Sequence, residues 1–284
     1  MRDVVDKVGQ YNVYSTLDMK SAYHQVELPA DKQIFTVFEA DVGLYQWRRI
    51  PFGLTNAVHC FQRIVDEIIE ANGCNGTFAY LDNITVCGKA QEEHDANLKK
   101  LLSAARKHNL TLNHSKCTYS TTSIKLLGHE ITNSSLKPDP DRIKPLLELP
   151  PRHNNRTLKR VLGLFAYYAQ WIKQYSDKVK SLIENTHFPL DDAALQAFEI
   201  LKNELAEVTL GVIDNSAPFV VETDASDVAL SASLNQRRRP VAFFSRTFTK
   251  VERNQSSVEK EAAAIVEAIR KWNHFLLGRK FTLI

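Results

Sequence analysis

The sequence predicts a multidomain protein that mixes helices and strands, of the α+β or α/β class. Short β-rich runs alternate with helical patterns from residue 11 to about 137, two amphipathic helices follow, and the last part returns to strand periodicity before one long helix. At 284 residues, the chain is also longer than one hydrophobic core usually serves. We therefore expect three parts, which cover residues 1–137, 138–216 and 217–284.

The first part has the pattern of an α/β or α+β domain. Its β-rich runs are NVYSTLD, QIFTVFEA and GTFAYLDNITVCG, and its helical patterns cover residues 58–72 and 92–108. Asp82 and Asn83 lie between two apolar strand runs, and their side chains tolerate the positive φ of a tight turn, so this stretch predicts a β-hairpin. The same two residues also suit a metal site, provided that a second carboxylate lies in a comparable setting.

The second part begins with the proline-rich segment LKPDPDRIKPLLELPP, which has five prolines in sixteen residues. Proline ends helices and favours extended geometry in the residue before it, so we expect a linker or a broken connection. Two amphipathic helices should follow, the first behind a Thr157 cap and the second behind Asp191 and Asp192. Their apolar residues recur at helical spacing: Leu158, Val161, Leu162, Phe165, Tyr168 and Ile172, then Leu195, Phe198, Leu201, Leu205 and Val208.

The third part changes from helical to strand periodicity. PFVVETDAS, LSASLNQ and PVAFFSRT alternate as strands, and a long helix, SSVEKEAAAIVEAIRKWNHFLL, opens with a capping box of Ser256 and Glu259. KFTLI then begins a fourth strand. This order predicts a mixed sheet with a helix on one face. The sequence ends within the fourth strand, so we expect a truncated form of that sheet.

Composition and charge exclude several classes of protein. No apolar run approaches the roughly 18 residues that span a bilayer, and the first residues lack the apolar core of a signal peptide. We therefore expect a cytoplasmic or nuclear protein that is not secreted and has no membrane partner. The four cysteines contain no C-x-x-C pair, which argues against a zinc site and a disulfide framework. A net charge of +3 permits nucleic-acid binding without requiring it.

Candidate metal-binding carboxylates occur at two places. Asp18 ends the strand pattern of YSTLD, and a carboxylate at a strand end can face a cleft while the backbone holds it still. Asp18 and Asp82 could therefore share ions, with surface and turn aspartates as the alternative. Asp224 ends a later strand, and Glu261 lies on a largely apolar helix face. A metal ligand and a Glu that reaches solvent from the first turn are equally compatible with that position.

Taken together, the motifs resemble the polymerase polyprotein of gypsy-type LTR retrotransposons, from inside the fingers and palm of the reverse transcriptase into a ribonuclease H domain. The resembling stretches include STLDMKSAYHQVEL, RRIPFGLTNAVHCFQR, FAYLDNITVCGKAQEEHDANL, LKRVLGLFAYYAQWIKQYS and FVVETDAS, in the order of the family. The resemblance implies reverse transcriptase fingers and palm, a helical thumb or connection, and a truncated ribonuclease H-like mixed sheet with a helix. The implied activity is RNA-directed DNA synthesis, with a partial ribonuclease H domain attached.

The resemblance also implies roles for individual residues. Asp18, Asp82 and Asn83 would hold Mg²⁺, with Mn²⁺ as a possible substitute, for two-metal phosphoryl transfer. Asp224 and Glu261 would serve as catalytic metal ligands in the ribonuclease H part. The residues implied to contact nucleotide, template or primer are Met19, Tyr23, Phe52, Gly53, Leu127 and Gly128. Met19 would act through its main-chain carbonyl, and the Tyr23 ring would exclude a ribose 2′-hydroxyl. Gly53 would allow close approach of the backbone.

The implied partners are an RNA template, an RNA/DNA hybrid or DNA primer, and deoxynucleoside triphosphates. The sequence departs from the family at Asn83, where a second aspartate is usual, and the amide should weaken metal binding by removing one negative charge. It also begins after the upstream finger strands and ends before the next acidic ribonuclease H ligand. A catalytically inactive or domesticated copy that binds nucleic acid or a protein partner is therefore the alternative function. A scaffold without a nucleic-acid role is a third.

Overall fold

The computed structural model describes residues 2–41, 43–151, 154–184 and 187–284. The chain divides into two compact units, Met1–Ile124 and Lys125–Ile284. The boundaries expected at residues 137 and 216 both lie inside the second unit and stay predictions. Within the described ranges, none of the helices combines the length and the apolar character needed to cross a membrane.

The first unit is built around a four-stranded sheet of order β4-β5-β1-β6, in which β1 pairs antiparallel with both β5 and β6. A separate two-stranded sheet contains β2 and β3. The helices and strands of this unit are α1 (Arg2–Val8), β1 (Val13–Asp18), α2 (Ala30–Gln33), β2 (Phe38–Ala40), β3 (Gly43–Tyr45), α3 (Ala57–Ala71), β4 (Thr77–Tyr80), β5 (Asn83–Gly88), α4 (Gln91–Lys107) and β6 (Thr118–Thr121).

Helices α3 and α4 cover one face of this sheet, and their apolar residues form one core with β1 and β5. Leu17 and Met19 are buried in that core. Because side chains alternate along an extended chain, Asp18 between them points away from the core. The far end of β1 is fixed by the buried His94 of α4, whose Nε2 lies 2.8 Å from Ser15 Oγ.

Two expectations for this unit need correction. The run QIFTVFEA is a strand only over its last three residues, because residues 30–36 form short helical turns. The hairpin YLDN is present, but the residue with positive φ is Leu81, at 56°, and neither Asp82 nor Asn83 adopts that conformation. The turn therefore requires its left-handed residue one position earlier than expected.

The second unit contains two four-stranded sheets, of orders β10-β9-β8-β7 and β13-β12-β11-β14. Strand β7 runs across the division between the units. The helices and strands are β7 (Ser123–Leu126), β8 (His129–Thr132), β9 (Ser135–Pro138), α5 (Pro140–Leu147), α6 (Asn155–Tyr167), α7 (Tyr175–Lys178), α8 (Lys180–Glu184), α9 (Asp192–Glu207), β10 (Leu210–Gly211), β11 (Phe219–Ala225), β12 (Ala229–Gln236), β13 (Arg239–Thr247), α10 (Ser257–Lys271), α11 (Asn273–Leu276) and β14 (Phe281–Leu283).

The last sheet is mixed, as predicted, because β11 pairs antiparallel with β12 and parallel with β14. Helix α10 packs on one face, where Phe219 and Val221 share a core with Ala268 and Trp272. Helix α7 packs on the other face, since the Ser176 N–H donates to Ser245 of β13. Both faces of the sheet are therefore covered by helices of the same unit.

The proline-rich segment is ordered structure, so the expectation of a linker is wrong. It forms β9 and α5, and the Asp139 side chain caps α5 by accepting from the Asp141 N–H. Pro140 fits the first turn of that helix because its missing N–H would have no helical partner there. Pro145 lies inside the same helix.

Two helix ends also differ from expectation. The N-cap of α6 is Asn154, whose side chain accepts from the Thr157 N–H, whereas Thr157 itself lies inside the first turn. The expected helix of residues 256–277 is interrupted at Trp272, which separates α10 from α11. Its capping box of Ser256 and Glu259 and the Asp191 cap of α9 are present as expected.

Candidate active site

The first unit brings Asp18 and Asp82 to the same edge of its sheet. Asp18 is the last residue of β1 and lies directly opposite Asn83, the first residue of β5. The Met19 N–H donates to the Asp82 carbonyl over 3.0 Å, which joins the two strand ends. Asp18 is half-buried, and Asp82 and Asn83 are exposed. The backbone pairing therefore holds two carboxylates and an amide close together at an accessible surface.

Asp18 and Asp82 open onto a cleft of about 340 Å³, whereas Asn83 is not among the residues that line it. Its lining combines carboxylates, ammonium groups and two aromatic rings: Asp18, Met19, Lys20, Ser21, Ala22, Tyr23, Phe52, Asp82, Asn113 and Lys116. Among the described residues, neither Lys20 nor Lys116 has an ion-pair partner, so both charges are available to an anionic ligand. Sequence patterns did not single out either lysine.

A glutamine of α3 fixes the turn that carries Asp82. The Gln62 Oε1 accepts the Leu81 N–H at 2.8 Å, and its Nε2 donates to the Ala79 carbonyl at 3.1 Å and to Asp66 at 3.0 Å. A left-handed backbone is costly for a leucine, and these two backbone contacts hold the chain where it enters Leu81. Gln62 was missed from the sequence, where it resembles any polar residue on the exposed side of an amphipathic helix.

Tyr23 and Phe52 form one wall of the cleft. Their rings meet edge to face with centroids 5.3 Å apart, and the Tyr23 ring also contacts the buried Phe61 at 5.3 Å. Phe52 itself is 65% exposed. Gly53 has a φ of +92°, a backbone conformation that favours glycine, and no other group lies close to the position that a Cβ would take. Tyr23 is thus held in place, whereas the Phe52–Gly53 loop faces solvent.

The donor set of this cleft fits a magnesium or manganese ion. Carboxylate oxygens are hard ligands, and Mg²⁺ typically uses one or two carboxylates together with water and substrate phosphates. The amide of Asn83 lies just outside the cleft lining, and its Nδ2 is 3.5 Å from Asp82 Oδ1. The described residues contain no cluster of three or more His, Cys, Asp or Glu that could hold a metal. A substrate would therefore have to supply part of the coordination.

The second unit places Asp224 and Glu261 on different elements. Asp224 accepts a hydrogen bond from Gln174 at 3.1 Å and lines a cleft of about 370 Å³ together with Glu222. Glu261 is exposed on α10 and is not among the residues that line this cleft. Strand alternation places Asp224 on the face opposite to the one that α10 covers. This arrangement does not show a two-carboxylate site, and the metal-binding role of these residues stays a prediction.

Leu127 and Gly128 form the turn between β7 and β8, with φ values of 53° and 81°. The Asp139 N–H donates to the Gly128 carbonyl at 3.0 Å. A Cβ at Gly128 would lie 3.0 Å from Arg142 Nη1, so α5 packs closely behind this turn. The turn therefore needs a glycine for its backbone conformation, whereas the exposed Arg142 side chain could shift away from an added Cβ. The role of the turn in primer binding stays a prediction.

Comparisons with known proteins agree with this architecture. Residues 1–131 match the family model described as "Reverse transcriptase (RNA-dependent DNA polymerase)", and residues 190–283 match "RNase H-like domain found in reverse transcriptase". The retrovirus-related Pol polyprotein from transposon 297 of Drosophila melanogaster is 32% identical over 289 residues, which cover 100% of this chain and 27% of the relative. The polyprotein from transposon gypsy of the same organism is 28% identical, and the match covers 98% of this chain and 28% of the relative.

Solved structures of a foamy viral protease-reverse transcriptase have the same fold. The complex with dsDNA superposes with a TM-score of 0.83 and 21% identity over 96% of this chain and 59% of the other. The complex with an RNA/DNA hybrid superposes with a TM-score of 0.76 and 20% identity over 98% of this chain and 39% of the other.

Fold and family matches together define a reverse transcriptase domain followed by an RNase H-like domain. Over nearly its whole length the chain is similar to retrovirus-related Pol polyproteins of retrotransposons, including those of 297 and gypsy. It spans little more than a quarter of the length of the curated relatives named above.

Proposed function

We propose that this chain is the catalytic segment of an RNA-directed DNA polymerase, which adds deoxynucleotides to a primer by two-metal nucleotidyl transfer. One observation carries the proposal: Asp18, the last residue of β1, and Asp82, in the turn that leads into the adjacent strand β5, line a single polar cleft with Tyr23. The RNase H-like domain accompanies this activity, and we derive no cleavage step for it.

Each wall of the cleft has a part in this reaction. Bound divalent ions would activate the primer 3′-hydroxyl and neutralise the leaving pyrophosphate. Asp18 and Asp82 would hold the ions, and Lys20 and Lys116 would offset the charge of the triphosphate. The Tyr23 ring, held by Phe61, would lie beneath the incoming sugar and exclude a 2′-hydroxyl. Each of these groups belongs to backbone that is fixed by pairing or packing.

Nucleic-acid binding is supported by a surface of the second unit and by the solved neighbours. Helix α6 exposes a face that combines cations with apolar side chains, since Lys159 and Arg160 are exposed, Leu164 is 49% exposed and Tyr167 is 72% exposed. Such a surface suits phosphate contacts and stacking. The foamy viral neighbours were solved with dsDNA and with an RNA/DNA hybrid. The proposed partners are an RNA template, a DNA primer or hybrid, and deoxynucleoside triphosphates.

The second candidate function is nucleic-acid binding without catalysis. Asn83 favours it, because the cleft has two carboxylates and the residue beside Asp82 is a neutral amide where a third carboxylate would strengthen ion binding. Binding through phosphates does not depend on the ions of the cleft, so a catalytically inactive copy would retain it.

Primer extension on an RNA template with Mg²⁺ or Mn²⁺ tests the proposal. We expect extension by the purified chain, none by an Asp18→Ala variant, and faster extension by Asn83→Asp. Hybrid binding at two salt concentrations should be measured with the same samples, because the phosphate contacts predict weaker binding at higher salt. Absence of extension from folded wild type and Asn83→Asp, with salt-dependent binding intact, would overturn the polymerase proposal in favour of the second candidate.

A further inference from the structure

The side chain of Gln25 connects two separate segments of the chain that line the cleft of Asp18 and Asp82. Its Nε2 donates to the Lys20 carbonyl at 2.5 Å and to the Thr111 carbonyl at 2.9 Å, while its Oε1 accepts the Thr111 N–H at 2.7 Å. A single side-chain amide thus satisfies both backbone groups of Thr111, as a neighbouring strand would. Gln25 is half-buried at the end of the short helical turn that begins at Ala22.

The two connected segments supply different parts of the cleft lining. Residues 19–23 follow Asp18 and include Lys20 and Tyr23, whereas the segment after Thr111 supplies Asn113 and Lys116. Backbone contacts between them are few: the Lys20 N–H donates to the Thr111 carbonyl at 3.0 Å, and the Asn113 N–H donates to the Asp18 carbonyl at 2.8 Å. Gln25 adds two further hydrogen bonds to this seam.

The first segment needs this support because its backbone is strained. Ser21 has a φ of 49°, a left-handed conformation that is unfavourable for a residue other than glycine. The Gln25 amide returns to the Lys20 carbonyl, immediately before this residue, and closes the turn. Arg49 in turn donates to the main-chain carbonyl of Gln25 at 2.9 Å, so the backbone that carries this amide is itself held.

We propose that Gln25 is a positioning residue, which fixes the distance between the Tyr23 side and the Lys116 side of the cleft and thereby sets its affinity for the incoming nucleotide. Gln25 does not line the cleft and does not touch the reacting atoms. The inference rests on the proposed polymerase function. It differs from the role of Gln62, which holds the turn that carries Asp82.

The test compares the wild type with Gln25→Leu, which keeps the size of the side chain and removes its hydrogen bonds. Gln33→Leu is the matched control, since Gln33 bonds the Leu28 carbonyl and Gln46 and is not part of the cleft lining. Steady-state extension should show a KM for deoxynucleotide about tenfold higher in Gln25→Leu, with kcat changed by less than about twofold. A general loss of folding would instead lower the active fraction and reduce kcat.

Hydrogen exchange supplies a readout that does not need activity. The Thr111 amide should exchange faster in Gln25→Leu than in the wild type and in Gln33→Leu, because it loses its acceptor. Unchanged KM and unchanged exchange would overturn the inference while leaving the polymerase proposal intact. If the wild type does not extend primers, the proposed function fails, and faster Thr111 exchange with weaker binding of a fluorescent deoxynucleotide would still support the positioning role. Equal exchange and equal nucleotide binding would then refute it.

Discussion

The two units use carboxylates at strand ends in different ways. In the first unit, Asp18 ends β1, Asp82 lies in the turn directly before the antiparallel partner strand β5, and both line one cleft. In the second unit, Asp224 faces a cleft beside Gln174, while Glu261 lies on the helix that packs against the other face of the sheet. The same sequence signal, an acidic residue after an apolar strand run, thus precedes a shared site in one case and separate positions in the other.

Strand register explains the difference. Pairing of β1 with β5 brings Asp18 opposite Asn83, and Asp82 directly precedes Asn83 in the chain, so the strand pairing holds the two aspartates near each other. A strand and a helix have no comparable register, so their side chains meet only if the face and the helical turn both agree. Two carboxylates are therefore more reliably inferred to lie together when paired strands carry them than when only their residue types suggest a site.

The largest expected effect comes from removing a carboxylate of the first unit. Asp82→Ala should lower primer extension by at least about 1,000-fold, because the remaining donors cannot replace a charged ligand. Asp224→Ala should leave the extension rate within about twofold. Single-turnover extension by both variants measures this contrast. Equal losses in the two variants would contradict the separation of the sites, and circular dichroism of each would show that folding is retained.

A smaller effect is expected at the turn that carries Asp82. Gln62→Ala should lower kcat by about 10- to 100-fold, as is typical when a group that orients a metal ligand is removed. Leu81→Gly in the same variant should restore part of the rate, because glycine adopts positive φ without strain. Steady-state kinetics of the wild type, the two single variants and the double variant form a double-mutant cycle that measures the coupling between the two residues. Additive losses would show that Gln62 does not act through Leu81.

An added carboxylate should improve the site of the first unit. Asn83→Asp should lower the Mg²⁺ concentration for half-maximal extension by about three- to tenfold, because a second negative charge then lies beside Asp82. Titration of extension rate with Mg²⁺ measures the change. Asn215→Asp serves as a control with the same change of charge on an exposed residue of the second unit. An equal response to both variants would assign the effect to net charge alone.

The smallest effect concerns stability of the second unit. The guanidinium of Arg246, followed by the Thr249 N–H, holds the pKa of Glu252 at about 2, below its ordinary value of 4.5. A lowered folded-state pKa stabilises the fold above the ordinary pKa, and this contribution disappears as the pH falls toward 2. Glu252→Gln should therefore lower the Tm of the second unit by about 2 °C at pH 7, with a difference that shrinks below about pH 4.5.

Calorimetry at several pH values tests this last prediction, with the polymerase rate as an internal reference. We expect Glu252→Gln to leave extension unchanged at pH 7. A Tm difference that grows toward acid pH would have the wrong sign for the Arg246–Glu252 pair.

Sequence patterns predicted most helices and strands, because apolar residues recur with a clear period in the strands around the candidate site residues and in the long helices. The strands around Asp18, Asp82 and Asp224 and the capping box at Ser256 all occur where expected. The proline-rich segment could not be predicted correctly, since Pro140 is favourable only if a helix begins there, and that depends on the cap at Asp139.

The site was predictable in its charged residues and not in its supports. Asp18 and Asp82 carry a pattern of their own, whereas Gln25 and Gln62 act through main-chain groups far away in the sequence. Their partners Thr111 and Leu81 are set by tertiary packing, so no local pattern marks either glutamine. The positive φ at Leu81 is likewise a property of the assembled turn.

The order of strands in the first sheet has a consequence for biosynthesis. Strand β1 is made first, but one of its partners, β6, follows much later, and Thr121 bonds Tyr14 across 107 residues. At ordinary translation rates, roughly 5 to 20 s pass before that partner leaves the ribosome's catalytic centre. Because Asn113 and Lys116 also line the cleft, the cleft can assemble only after residues 111–121 have been added. A nascent chain therefore passes through a long interval in which the carboxylates exist without a pocket around them.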